Sequence, residues 1–183
     1  MGKPASKIKR AFISCSLRHE DREFVEFVEG ALRKLNVKPV GTVGRHDAAP
    51  LSIATHMKEN IENTDFVVVV ATPRYVQKDV VTGKKSTGLS EMLHVESGMA
   101  YMAGKPVIVL AKEGTDLGSF LPQITQYVTL TGDNTDYLGK KNNIRQLINH
   151  AISIAGKAKL KKIGVNALAV IGGFKLLKNF FSR

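Results

Sequence analysis

Polar residues of chemical use gather where short apolar runs give way to loops. Ser14 lies near the end of the run from Arg10 to Cys15, Ser16 and Arg18 follow that run, and Arg74 and Tyr75 follow the run from Asp65 to Ala71. A guanidinium can grip a phosphate through two parallel hydrogen bonds. The hydroxyls can bond a ligand in the same crevice, and a tyrosine ring can stack on a base. The polar stretch Gly41 to Pro50 holds Arg45 and His46, with Gly41 and Gly44 to let it close over a ligand. Glu96, followed by Ser97 and Gly98, is an acid with small neighbours. Each has a plainer alternative: glutamate and arginine lie on the surface by default, and Tyr75 equally packs under its own loop.

Other chemistries are disfavoured. His19 and His46 are isolated and His94 is two residues from Glu96, so no metal-ligand spacing exists. Ser14, His19 and Asp21 lie too close together in one loop to orient one another as a hydrolytic triad. Cys15 is the only cysteine and sits in an apolar run, which reads as a small buried hydrophobe. A lone cysteine forms no internal disulfide and fits a reducing, cytoplasmic setting.

These residues need elements to hold them. Arg10–Ser16 reads as a buried parallel strand and its exit. Phe24, Phe27, Val28, Ala31, Leu32 and Leu35 recur at helical spacing. Val37–Val40 is a short strand, and a helix from about Ser52 carries Ile53, Met57 and Ile61. Asp65–Ala71, with four consecutive valines, predicts a central strand covered on both faces. Its exit, Thr72–Gly88, reads as a long loop with three lysines. A helix over Leu89–Ala103 ends at Gly104, Lys105–Ala111 is another buried strand, Val128–Leu130 an edge strand, and Tyr137–Gly156 a closing helix. Strands alternating with helices imply right-handed crossovers and a parallel sheet. The expected fold is α/β: a flavodoxin-like open parallel sheet of about five strands with helices on both faces, binding ligands at the strands' carboxyl ends.

The net charge of +11 is unevenly placed. Residues 1–10 carry four cations and residues 157–183 seven, neither with an acid; the rest holds 16 basic residues against all 16 acidic ones. We therefore divide the chain into a basic tail (1–9), an α/β domain (10–156) and a basic, apolar helical appendage (157–183). The neutral domain argues against a nucleic-acid face. In the appendage, Ile163, Ala167, Val170, Ile171, Phe174, Leu177 and Phe181 fall on one helical stripe flanked by Lys161, Lys162, Lys175 and Lys178. Asn166, the lysines and Gly172–Gly173 count against a spanning helix. Docking on the domain, on a second copy, or on an anionic membrane surface are the readings it leaves. The basic N-terminus runs into no long apolar stretch and is not read as a signal peptide.

Three segments, in order, resemble TIR domains. AFISCSLRHEDREFVEFVEGAL is similar to their opening strand and helix. ENIENTDFVVVVATPRYV resembles the helix leading to a strand closed by Ser/Thr-Pro-x-Tyr. HVESGMAYMAGKPVIVL is similar to a Glu-x-Gly-x-Ala…Gly-Lys-Pro-Val segment of TIR-like and nucleoside 2-deoxyribosyltransferase-like proteins. The resemblance covers roughly 10–132. It lacks the Trp-Cys pair of many animal members and has a longer, more basic loop before the helix, which points to the prokaryotic type.

The resemblance implies that Glu96, with Glu91 as the fallback if the helix register differs, splits NAD between ribose and nicotinamide. NAD is then substrate rather than cofactor. A carboxylate beside the anomeric carbon steadies an oxocarbenium-like transition state or attacks it. Glu96 lies in the first half of its helix, where the helix dipole favours the ionised form if the terminus is near enough. Ser14, Ser16, Arg18, Arg45, Arg74 and Tyr75 are the substrate-binding candidates. The resemblance further implies signalling or defence and self-association into a homo-oligomer. Two other readings remain: a non-catalytic TIR-like module that binds a nucleotide or protein, and a nucleoside deoxyribosyltransferase-like enzyme using the same glutamate.

Overall fold

A computed structural model describes residues 8–41 and 53–180, the side chains of 53, 54, 120 and 158–180 excepted. Five strands form one parallel sheet: β1 (Lys9–Cys15), β2 (Val37–Val40), β3 (Phe66–Ala71), β6 (Val107–Lys112) and β7 (Tyr127–Leu130). Their order is β2-β1-β3-β6-β7. The chain steps from β1 outward to β2 and then crosses back to β3 on the other side of β1. The strand order therefore reverses between β1 and β3, where an open sheet leaves a crevice at its carboxyl edge.

Side-chain alternation along β1 divides the core. Ala11 and Ile13 pack with Val68, Val70, Val25, Val28, Leu32, Ile144 and Ile148 on the face covered by α1 (Arg22–Lys34) and α5 (Asn134–Phe180). Phe12 packs with Val67, Val69, Leu89, Leu93, Ala100 and Leu121 on the other face, covered by α2 (Ile53–Glu62), α3 (Glu91–Met102) and α4 (Phe120–Ile124). All six residues of β3 are buried. The valine run is thus the central strand its composition implied.

Two features differ from the sequence reading. The stretch after β3 is not a plain loop: β4 (Tyr75–Lys78) and β5 (Lys85–Gly88) pair antiparallel as a separate hairpin. The Asp79 carboxylate closes its turn by accepting from the backbone N–H groups of Val81 and Thr82, and Gly83 takes the positive φ of 69°. The short helix α4 was not anticipated either. Gly41, expected to lend mobility, is instead a tight packing point. It has φ of 87°, and a Cβ there would lie 2.5 Å from the Phe12 ring. Gly104, at φ 64°, ends α3 as expected. The backbone of α5 stays helical from Asn134 through Phe180. Among the described residues no helix is long and apolar enough to cross a membrane.

Candidate functional site

On α3 the buried residues are Leu93, Glu96, Ser97 and Ala100. Spacings of three and four put them on one stripe facing the sheet. Glu96 therefore occupies a core position of an otherwise apolar face, only 8% exposed. On β1, Ser14 lies on the same side as Phe12, fully buried, and pairs in register with Val69 of β3. Helix and strand meet through these two residues: the Ser14 hydroxyl donates a short hydrogen bond to Glu96 Oε2. The contact joins the helix after β3 to the carboxyl end of β1, at the point where strand order reverses. Glu96 Oε1 has no hydrogen-bond partner among the described residues.

Burial sets the protonation of this carboxyl. Desolvation raises the Glu96 pKa from 4.5 to about 7, while the Ser14 hydrogen bond pulls in the opposite direction. The helix dipole, which would favour the ionised form only from close to the terminus, adds little here. Glu96 is the sixth residue of α3, and the dipole's influence fades beyond the first turn. At neutral pH the group is poised between its two forms, as suits a carboxyl that reacts near pH 7.

The remaining candidates fall at the same edge of the sheet but not all in one cluster. Ser16 is half-buried, and its hydroxyl accepts from the Arg18 backbone N–H at 3.3 Å. The Arg18 guanidinium holds Glu20 at 3.0 Å in an exposed ion pair, so part of its charge is already answered. Arg74 follows β3. Its N–H donates to the Gly88 carbonyl at 2.8 Å, closing the base of the hairpin, and its guanidinium lies 5.6 Å from the centre of the half-exposed Tyr75 ring. The Arg74–Gly88 bond ties the exit of β3 to the entry of α3 and so helps to fix Glu96. The hairpin is also held to the exit of β6, where Thr87 Oγ1 donates to the Gly114 carbonyl at 2.9 Å.

Glu91 is exposed on the first turn of α3 and has none of the burial that distinguishes Glu96. Ser97 is buried and turns its hydroxyl back onto the Leu93 carbonyl of its own helix. Gly98 does face open space. Arg45, His46 and Gly44 lie outside the described residues. Among the described residues no group of histidine, cysteine, aspartate or glutamate is arranged to hold a metal ion.

One candidate for a local role escaped the sequence reading. Asp21, which precedes α1 at this same edge, is 6% exposed, and its Oδ2 has no hydrogen-bond partner among the described residues. The burial of Glu96 was not read from the sequence either, although Leu89, Leu93, Glu96 and Ala100 recur at helical spacing and carry that signal.

The family model described as TIR domain matches residues 12–148. No curated protein matches the chain. Among solved structures, the chain resembles the CMP N-glycosidase BcmB of Clostridium botulinum, at a TM-score of 0.50 and 16% identity over 74% of this chain and 99% of that one. The flavoenzyme NAD(P)H:(acceptor) oxidoreductase FerB of Paracoccus denitrificans matches at a TM-score of 0.45 and 14% identity, over 82% of this chain and 98% of that one. At 16% identity the likeness to the CMP N-glycosidase is one of fold.

Proposed function

Because the chain belongs to the TIR domain family, matched over 12–148, we propose that it cleaves an N-glycosidic bond, that between the ribose and nicotinamide of NAD, with Glu96 as the catalytic carboxylate. The observation that carries this reading is the buried Ser14–Glu96 pair at the reversal between β1 and β3. A carboxyl group kept in an apolar helix face costs stability, and a catalytic task gives a reason for bearing that cost. Its place at the carboxyl edge of the sheet is where open α/β sheets receive nucleotides.

The chemistry follows from the charges. The nicotinamide of NAD is cationic while bonded to C1′ of the ribose. Heterolysis carries the bonding pair to the ring nitrogen, so the base departs neutral and needs no proton. Positive charge develops at C1′ and the ring oxygen. Ionised Glu96 steadies that charge through Oε1 or bonds to C1′ directly, while Ser14 keeps Oε2 fixed. Water then adds at C1′ and releases a proton. Arg74 and Arg18, at the exits of β3 and β1, are the groups for the pyrophosphate, and Tyr75 offers a ring face for a base. We place the reaction in signalling or defence on the strength of the family resemblance alone.

One observation favours a second reading. With a pKa of about 7, Glu96 retains its proton in about half the molecules at neutral pH. A protonated carboxyl is of use when the leaving base is neutral and must gain a proton, as in a nucleoside or nucleoside monophosphate. The fold neighbour that is a CMP N-glycosidase adds support. The two readings predict opposite pH dependences. NAD cleavage needs the carboxylate and should rise as pH increases through about 7; cleavage assisted by Glu96 as acid should fall over the same range. The experiment is to incubate the protein with NAD and, separately, with CMP and nucleosides, and to follow the freed base as a function of pH. Free nicotinamide rising with pH supports the first reading; free pyrimidine or purine falling with pH supports the second. No base freed from any of them, at any protein concentration, would leave a nucleotide- or protein-binding module.

A further inference from the structure

The end of α5 has no part in the chemistry above, yet it departs most from the rest of the chain. Tyr137, Ile144, Ile148 and Ala151 are buried against the sheet, and Ile152 packs partly on the same core. Packing on the domain weakens there: Ser153, Ile154, Gly156 and Lys157 are exposed. The backbone nevertheless remains helical through Phe180. The direction in which α5 leaves is fixed by its neighbours. A hollow of about 370 Å³ is lined by Val107, Ile108 and Gln126, at the amino ends of β6 and β7, together with His150, Ala151 and Ile154 of α5. The helix therefore quits the sheet at the edge opposite to Ser14 and Glu96.

We propose that residues 157–180 dock this chain on an anionic membrane surface, with the amino edge of the sheet toward the lipid and the Glu96 edge away from it. The stretch 157–183 holds seven cations and no acid, whereas the domain between 11 and 156 balances 16 basic residues against 16 acidic ones. Outside the first ten residues, the excess of cations is confined to this segment, and it calls for a negative partner. A second copy of the segment is a poor one, since two such helices repel each other. A nucleic acid offers the charge but no place for the apolar members. Between the lysines at 157, 159, 161 and 162 and those at 175 and 178, the twelve residues from Ile163 to Phe174 carry no charge at all. Ile163, Val170, Ile171, Phe174 and Leu177 recur at spacings that make one helical stripe. Apolar residues between cationic flanks suit the boundary of anionic headgroups and acyl chains. With α5 entering the interface from the amino edge, the nucleotide crevice stays open to water.

The test uses the full chain and sedimentation with vesicles of phosphatidylcholine alone or mixed with phosphatidylglycerol. Wild type should bind the mixed vesicles and not the neutral ones. The triple variant K159E/K161E/K162E should partition at least about a hundredfold more weakly, since each cation near such a surface multiplies binding about fivefold. F174S/L177S keeps every charge and should also lose binding. The chain has no tryptophan, so a single introduced indole reports depth and orientation. Brominated lipid should quench F174W and leave V81W, at the hairpin tip on the opposite edge, untouched. Equal binding to neutral and anionic vesicles, or none to either, overturns the proposal. So does F174S/L177S binding vesicles and duplex DNA as wild type does, which would mean contact through charge alone. Quenching of V81W overturns the orientation. None of these readouts depends on catalysis.

Discussion

Replacing Glu96 by glutamine should stabilise the fold at alkaline pH and leave it unchanged in acid. Burial moves this carboxyl from 4.5 to about 7. Between those values the folded chain binds more protons than the unfolded one, so stability falls as pH rises through the window and levels off above it. The interval of about 2.5 units, at 1.36 kcal/mol each, puts the penalty at about 3 kcal/mol once Glu96 is ionised. Glutamine has the same shape, can still meet Ser14, and carries no charge at any pH. Urea unfolding followed by circular dichroism at several pH values measures the difference directly. Wild type and Glu96→Gln should coincide near pH 4.5 and separate progressively, reaching about 3 kcal/mol above pH 8, with unchanged denaturant slopes. A difference that does not vary with pH, or a variant less stable than wild type in alkali, would show that the carboxyl is not held against its ionisation.

Ser14→Ala removes the one hydrogen bond that favours the ionised form of Glu96. The acidic limb of the kcat/KM profile for NAD should then move upward by about one pH unit; a limb that stays in place would detach Ser14 from the function of Glu96. Arg74→Ala should raise KM for NAD about tenfold or more with little change in kcat, as expected for a lost phosphate grip. Arg18→Ala should do less, because Glu20 already engages that guanidinium; steady-state kinetics decide both. Gly41→Ala forces a side chain into a backbone at φ 87° and onto the Phe12 ring. It should destabilise the fold by about 2–4 kcal/mol in denaturant unfolding.

Those elements that bury a face were legible in the sequence. The valine run could only be a strand covered on both sides, and the spacing of Phe24, Val28, Ala31 and Leu32 could only be a helix on a core. The hairpin was hidden for the opposite reason. Tyr75, Val76, Gln77 and Lys78 are all exposed, so no alternation of apolar and polar residues marks them, and the pairing rests on turn chemistry at Asp79 and Gly83. The short α4 has a proline among its five residues and no periodicity to read. For the site, the sequence located Glu96 and Ser14 but did not reveal that they touch, because residues 82 positions apart meet only through the crossover between strands. Helix position favoured an ionised Glu96 only if the terminus lay near enough, and its depth in the core instead leaves the group poised between its two forms near neutral pH.

The claim at the centre of this account is that one buried carboxylate at the β1/β3 crevice cleaves the bond between ribose and base. The most direct measurement compares wild type with Glu96→Gln in the release of nicotinamide from NAD at a pH near 8, where the carboxyl is ionised, with unfolding curves recorded on both. The account predicts steady release by wild type and a loss of about a hundredfold or more in a variant that remains fully folded. Undiminished release by the folded variant would contradict it.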